Sequence, residues 1–245
     1  MSSPEIGSKN GIIIGMLGAK GAGKDTVAER LVKYHGFIRV GFADELYRQV
    51  ANTFGVTVDF LGNRTTKESP LPELALKNCA DPEFVKIALE IAKKEKVPGL
   101  KGLFLRLYNS FSNSYLLNAP RSPRWTLQLW GSEYRRIAGG NDSYWLNIVK
   151  DVISKNPTAN YVITDVRFKN EATFTTSFGG ILVRVRRKKI DEAERLARES
   201  KRANGSLHIS ETEMIDYPVT ATLDNVEGQP DSLLSQLKAL LEKIS

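Results

Sequence analysis

The stretch Gly18-Ala19-Lys20-Gly21-Ala22-Gly23-Lys24-Asp25-Thr26 limits what this chain can fold into more than any other. It follows the apolar run Ile12-Ile13-Ile14-Gly15-Met16-Leu17 and leads into Val27-Ala28-Glu29-Arg30-Leu31-Val32, whose apolar residues recur at helical spacing. The order is strand, glycine-rich loop, helix. Gly18, four residues, Gly23 and Lys24 fit the first seven positions of a phosphate-binding loop, in which small residues let backbone N–H groups wrap a phosphate chain. Lys24 is placed to neutralise β- and γ-phosphate oxygens, and the N-terminus of the helix adds its partial positive charge. Asp25 takes the eighth position, where Ser or Thr usually supplies an Mg²⁺ ligand, and Thr26 comes one place late. A carboxylate also suits Mg²⁺. The loop predicts nucleotide-phosphate binding without choosing a reaction.

A chain of 245 residues has room for one α/β domain with an insertion, or for two small domains. Its 41% hydrophobic and 26% charged residues are those of soluble globular proteins. The first ten residues are polar and the apolar run after them is short, which argues against a secretory leader or a membrane span. The single cysteine, Cys79, excludes an internal disulfide and a cysteine-cluster metal site and fits a cytoplasmic location. The net charge of +7 suits a nucleic-acid binder, yet small-molecule phosphate sites need the same side chains.

Further along, 36–42 reads as a second strand and 43–54 as a helix with Leu46, Val50 and Phe54 on one face. Residues 56–122 hold five of the prolines and no clear strand, and read as a mostly helical insertion with patches near 83–94 and 100–108. Ser122 and Pro123 start the next helix, which runs to about Ala138. A second amphipathic helix carries Trp145, Ile148, Val149, Val152 and Ile153. A strand over 160–165, a helix over 170–178, a strand over 181–185, a last strand over 219–223 and a leucine-rich closing helix complete the chain. Strands alternating with helices predict a parallel sheet with its ligand site at the carboxyl ends of the strands, where Asp165 falls. From Arg184 to Arg202 there are nine Lys/Arg against four Asp/Glu, a pattern of either a solvated surface helix or a cationic flap over phosphates.

Phosphoryl transfer needs aligned substrates and cations around the moving charge more than it needs covalent help. Asp165-Val166-Arg167 offers a carboxylate for Mg²⁺ or its water and a guanidinium for a two-pronged phosphate contact; a strand-end salt bridge is the plainer alternative. Glu171 can fix that arginine, accept from a sugar or base, or simply face solvent. Arg124 and Gln128 share a helix face, as surface residues often do. Trp145 can stack on a base but lies in an apolar stripe. Neither histidine has partners at metal-ligand spacing, and no hydrolytic triad is present.

Several stretches together resemble the deoxynucleoside monophosphate kinases of tailed bacteriophages. They are Gly18 to Thr26, Phe42-Ala43-Asp44-Glu45-Leu46, Gln128-Leu129-Trp130-Gly131-Ser132 with Tyr144-Trp145, Asp165 to Ala172, and His208-Ile209-Ser210-Glu211. The resemblance spans the core and leaves 56–122 unmatched. It implies that Gly-Lys-Asp-Thr is the working form of the loop, with Asp25, Thr26 and Asp165 as metal-side residues. It implies roles for Arg124, Gln128, Gly131, Ser132 and Trp145 in holding the deoxynucleotide, for Lys24, Asp165 and Arg167 in transfer, and for Glu171 in recognition. It further implies ATP and Mg²⁺ as cofactors, conversion of dNMP to dNDP for viral DNA synthesis, and a possible homodimer. Ala22 stands where Ser is common in the family, and Ser132 where Thr is frequent.

These observations predict an α/β P-loop NTPase fold of three layers with a mostly parallel sheet, a kinase core over 11–55 and 123–245, and an acceptor-binding insertion over 56–122. Residues 186–207 are a possible lid, with Arg186 and Arg187 as its cations. Small-molecule substrates are expected, with no stable nucleic-acid or membrane partner. The alternatives are a P-loop kinase of another small acceptor, such as dephospho-coenzyme A or phosphomevalonate, and a nucleic-acid-binding P-loop ATPase. The basic segment lacks interleaved aromatic residues, and the chain has no Asn-Lys-x-Asp guanine-reading motif.

Overall fold

The computed structural model describes residues 10–96, 113–203 and 213–244. The chain divides into two compact units, Met1–Phe42 with Leu146–Ser245, and Ala43–Trp145. The second unit is wider than the 56–122 segment, since it takes in the helices on either side.

The first unit is built on strands β1 (Ile13–Leu17), β2 (Ile38–Val40), β3 (Tyr161–Ile163), β4 (Ile181–Arg186) and β5 (Ala221–Asp224). They form one all-parallel sheet in the order β2-β3-β1-β4-β5. β1 is central and buried along its whole length, as expected of a parallel strand covered on both faces. Its alternate side chains enter two cores. Ile14 and Met16 meet helix α1 (Lys24–His35) through Val27, Ala28 and Leu31, and the closing helix α10 (Pro230–Ile244) through Leu233, Leu237, Leu240 and Leu241. Ile13 and Leu17 meet Val149 and Ile153 of α7 (Tyr144–Lys155) and Ala172 of α8 (Lys169–Ser177). Full burial is worth about 2 kcal/mol per leucine, so the leucine stripe of α10 is a main anchor of its layer. The result is the three-layer P-loop NTPase-like architecture read from the sequence. A Cβ on Gly15 would lie 2.9 Å from Thr175 Cγ2, which explains a glycine inside the central strand: it lets α8 approach.

The strand order places the switch point beside β1. The chain leaves β1 towards β2 on one side and leaves β3 towards β4 on the other, which opens a crevice at the carboxyl ends of β1 and β3. The Gly18–Gly23 loop and Asp165-Val166-Arg167 both begin there.

The second unit contains α2 (Asp44–Phe54), α3 (Val58–Gly62), two short 3₁₀ turns, α4 (Pro82–Lys96), a short helix α5 over 113–118, and α6 (Pro123–Gln128). Ser122 caps α6 by accepting the N–H of Trp125 at 3.2 Å, with Pro123 in the first turn, as the sequence predicts. An aromatic cluster links these helices: Phe84 packs edge-on against Phe54 and tilted against Trp130, with centroids 6.1 and 4.7 Å away. Among the described residues of 56–122 the only extended pairing is a single antiparallel bridge, Leu71 to Arg121. The helical patch expected over 100–108 lies outside the described residues.

The helix expected to run unbroken to Ala138 changes character. After Gln128 it continues as a π-helix, Leu129–Ala138, closed by Gly139 N–H donating to Tyr134 O at 3.0 Å. The wider turn alters side-chain phase over Trp130 to Arg136, and α-helical periodicity cannot reveal it.

Candidate active site

The loop after β1 is shaped by glycines that no other residue replaces without strain. Gly18, Gly21 and Gly23 have φ of +132°, +84° and +112°. A Cβ on Gly18 would also lie 2.1 Å from the carbonyl oxygen of Val185 on β4. Gly23 caps α1 in the left-handed conformation and, having no side chain, supplies no side-chain acceptor to the first turn. Lys24 Nζ donates to Gly18 O at 2.6 Å and to Ala19 O at 2.8 Å, curling the ammonium over the loop. Burial lowers the Lys24 pKa foremost, and the positive charge of Arg167 adds to it; Asp25, Glu194 and Asp165 oppose the shift. Lys24, Arg167, Asp25 and Asp165 thus share one electrostatic neighbourhood. Asp25 and Thr26 stand exposed in the first turn of α1.

Beyond β3 the chain stays against the sheet, with Thr164 N–H donating to Val40 O and Val166 N–H to Met16 O. Asp165 Oδ1 accepts the N–H of Phe42 at 2.8 Å, which fixes the carboxylate at the ends of β2 and β3. Glu171 is 2% exposed in the first turn of α8. Its Oε2 accepts the N–H groups of Arg167 at 2.7 Å and Phe168 at 3.0 Å. Its carboxylate therefore holds the backbone that carries Arg167.

The basic stretch forms helix α9 (Lys188–Ala203), with exposed ion pairs such as Arg195 to Glu199 along it. Arg186 ends β4 and lies 3.4 Å from Asp191, while the Arg187 carbonyl accepts from Ile190 and Asp191 at the start of α9. Glu194 of α9 reaches the glycine-rich loop: its Oε1 accepts the N–H of Lys20 at 2.8 Å, and its other oxygen accepts from Arg198 at 3.1 Å. A carboxylate from α9 thus occupies an amide of the glycine-rich loop. Residues 204–207 and the His208–Glu211 motif lie outside the described residues.

The remaining candidates belong to the second unit. Arg124 pairs through Nε with Glu68, and its N–H donates to Lys67 O at 3.0 Å. Gln128 lies one turn further, at the end of α6. Gly131 and Ser132 fall in the π-helical segment, and the Gly131 carbonyl accepts the indole N–H of Trp145 at 3.1 Å. Trp145 is 4% exposed and packs edge-on against Tyr144, so its ring is part of the unit's interior. A cluster not foreseen from sequence centres on Gln49. Its Oε1 accepts from Trp130 Nε1 and Arg135 Nε, both at 3.0 Å, and its Nε2 donates to Glu45 and Tyr144, both at 2.9 Å. The Arg135 guanidinium lies over the rings of Tyr134, Trp130 and Tyr144 at 4.5, 5.1 and 5.4 Å. Glu45 lies one helical turn from Gln49, but Trp130, Arg135 and Tyr144 are too far from it in sequence for any spacing rule to join them.

For a metal, the described residues contain no group of three or more His, Cys, Asp or Glu side chains able to hold an ion by themselves. Asp25, Asp165 and Thr26 offer hard oxygen donors, which suits an Mg²⁺ that takes the rest of its shell from phosphates and water. No helix among the described residues is long and apolar enough to cross a membrane.

No family model matches the chain. It is similar to deoxynucleoside-5'-monophosphate kinase of Escherichia phage T5, 31% identical over 180 residues, which cover 65% of this chain and 70% of that protein. It is also similar to a protein of Acanthamoeba polyphaga mimivirus that carries the provisional name deoxynucleotide monophosphate kinase. There the identity is 28% over 178 residues, 72% of this chain and 74% of the relative. Among solved structures, TT1252 from Thermus thermophilus aligns with a TM-score of 0.43 and 18% identity, covering 97% of this chain and 100% of that one.

Proposed function

The chain belongs to the deoxynucleoside monophosphate kinase family, and on that premise we propose ATP as its phosphoryl donor and Mg²⁺ as the ion that accompanies it. Phosphorylation of deoxynucleoside monophosphates is the activity the family carries. What supports the donor assignment is the neighbourhood of Lys24, at the junction of the glycine-rich loop and α1, where Arg167 and the three carboxylates of Asp25, Glu194 and Asp165 act on one ammonium.

The donor's phosphate chain lies in Gly18 to Thr26. Lys24 exchanges two neutral carbonyl acceptors for phosphate oxygens, a stronger charge-assisted bond. The acceptor's phosphate has a second pKa of about 6, so at neutral pH its attacking oxygen is already ionised and needs no general base. That oxygen forms the new bond to the γ-phosphorus as the bond to the bridging oxygen breaks, and the electron pair leaves with ADP. Arg167, held through its backbone by Glu171, faces the charge that moves, and Arg124 takes the acceptor phosphate, with Gln128, Gly131, Ser132 and Trp145 on the acceptor side. Asp25, Thr26 and Asp165 would hold Mg²⁺, which when bound neutralises charge on the β- and γ-phosphates. Arg186 and Arg187 are secondary cations at the root of α9. Coupled detection of ADP release with dAMP, dGMP, dCMP and dTMP tests the proposal; turnover without dNMP, or with none of the four, counts against it.

A further inference from the structure

The phosphate loop leans on a residue far from it in sequence. Asn225 follows β5, is half-buried, and donates through Nδ2 to the carbonyl of Ala22 at 2.8 Å, across a sequence separation of 203. A carbonyl offers only lone pairs, so the nitrogen end of the amide must face it. Gly23 is fitted to the same side chain: a Cβ there would lie 2.5 Å from Asn225 Nδ2. Asn225 is itself well held. Its N–H donates to Arg186 O at 2.7 Å, and Gln236 of α10 brackets the preceding Asp224, accepting its N–H at 2.9 Å and donating to its carbonyl at 3.0 Å.

A trans peptide directs its C=O and the following N–H to opposite sides. Tying the Ala22 carbonyl to Asn225 therefore sets the Gly23 N–H on the side away from Asn225. The amides of such a loop are the groups that take up phosphate oxygens, and each contributes only if it faces the ligand. We propose that Asn225 is a positioning residue for the phosphate donor, presetting the Ala22–Gly23 peptide so that the Gly23 N–H meets the donor's phosphates. The inference rests on the reading of Gly18 to Thr26 as the ATP site. A plain turn residue would also follow β5; the bond to Ala22 is what distinguishes Asn225 from one.

The test compares wild type, Asn225→Ala and Asn225→Asp in full-length protein, measuring Mg·ATP affinity by calorimetry, KM for a dNMP by turnover, and thermal midpoint. The aspartate keeps the shape but cannot donate, and it turns lone pairs on the Ala22 carbonyl. The expected result is an ATP Kd raised about 10-fold in Asn225→Ala, equivalent to about 1.4 kcal/mol, and at least as much in Asn225→Asp. The KM for the dNMP stays within about twofold, because a donor-side peptide leaves ground-state acceptor binding unchanged. Asn225→Ser serves the same comparison if either variant does not fold. Wild-type ATP affinity in the variants overturns the inference, and so does equal weakening of ATP and dNMP, which marks a merely structural role. Wild-type protein that binds ATP but phosphorylates no dNMP defeats the kinase reading and leaves the Asn225 comparison intact; wild-type protein that binds no ATP overturns both.

Discussion

Replacing Gly18 by alanine should damage the donor site far more than the same change at Gly21. Both have positive φ, +132° and +84°, but their surroundings differ. A Cβ on Gly18 lands 2.1 Å from Val185 O, whereas on Gly21 the nearest atom is Ile190 Cδ1 at 4.0 Å. Side-chain carbons do not approach oxygen within 3.0 Å, so at Gly18 the loop and β4 must part by roughly 1 Å across a backbone contact with little give. Backbone strain of about 1–3 kcal/mol and overpacking of a similar size together suggest a loss of about 4 kcal/mol for Gly18→Ala. Gly21→Ala carries only the conformational term, about 1 kcal/mol. At 2–4 °C per kcal/mol for a chain of this size, the midpoint falls by about 8–16 °C in the first case and about 2–4 °C in the second. Differential scanning calorimetry of the two variants side by side measures this. Equal midpoints would refute the close approach of the loop to β4 and the explanation of Gly18 that rests on it.

Lys24→Met should cut kcat/KM by at least about 100-fold, the loss typical of removing one aimed donor from a transition state. The Lys24 pKa is depressed on folding, so the buried cation disfavours the folded state at neutral pH, and this penalty fades as pH rises from the folded pKa towards 10.5. Lys24→Met is therefore expected to keep or exceed wild-type thermal stability at pH 7, with the advantage shrinking at alkaline pH; a lower midpoint at pH 7 would contradict this. Glu194→Gln removes a carboxylate that competes with phosphate for the Lys20 amide, and should tighten Mg·ATP binding by about fivefold in calorimetry. Unchanged or weaker binding would show that Glu194 does not compete. Burial pushes the Cys79 thiol up to about 11, so its reaction with iodoacetamide at pH 8 should run roughly 100-fold slower than that of a free thiol and recover in denaturant.

Much of this was legible because it is local. The apolar run, the glycines and Lys24 predict strand, loop and helix in one stretch, and the structure places β1, the Gly18–Gly23 turn and α1 there. Asp165 and Arg167 were legible because alternating strands and helices put strand ends on one edge of the sheet. What stayed hidden depends on meetings between distant residues. Gln49 reaches Trp130, Arg135 and Tyr144, Glu194 reaches Lys20, and Asn225 reaches Ala22, each across separations that no periodicity encodes. The π-helical turn was invisible for another reason: its residues look helical, and only the hydrogen-bond phase has changed. Glu171 was legible as a carboxylate close to Arg167, but its commitment to two backbone N–H groups appears only once α8 is folded.

The most direct test is steady-state phosphorylation by purified protein with Mg·ATP, read as dNDP and ADP formed in equal amounts from each of the four dNMPs. Stoichiometric conversion of at least one dNMP is the expected result, cut by at least about 100-fold in Lys24→Met and in Arg167→Ala. ATP hydrolysis that ignores dNMP, or full activity in Arg167→Ala, would contradict it.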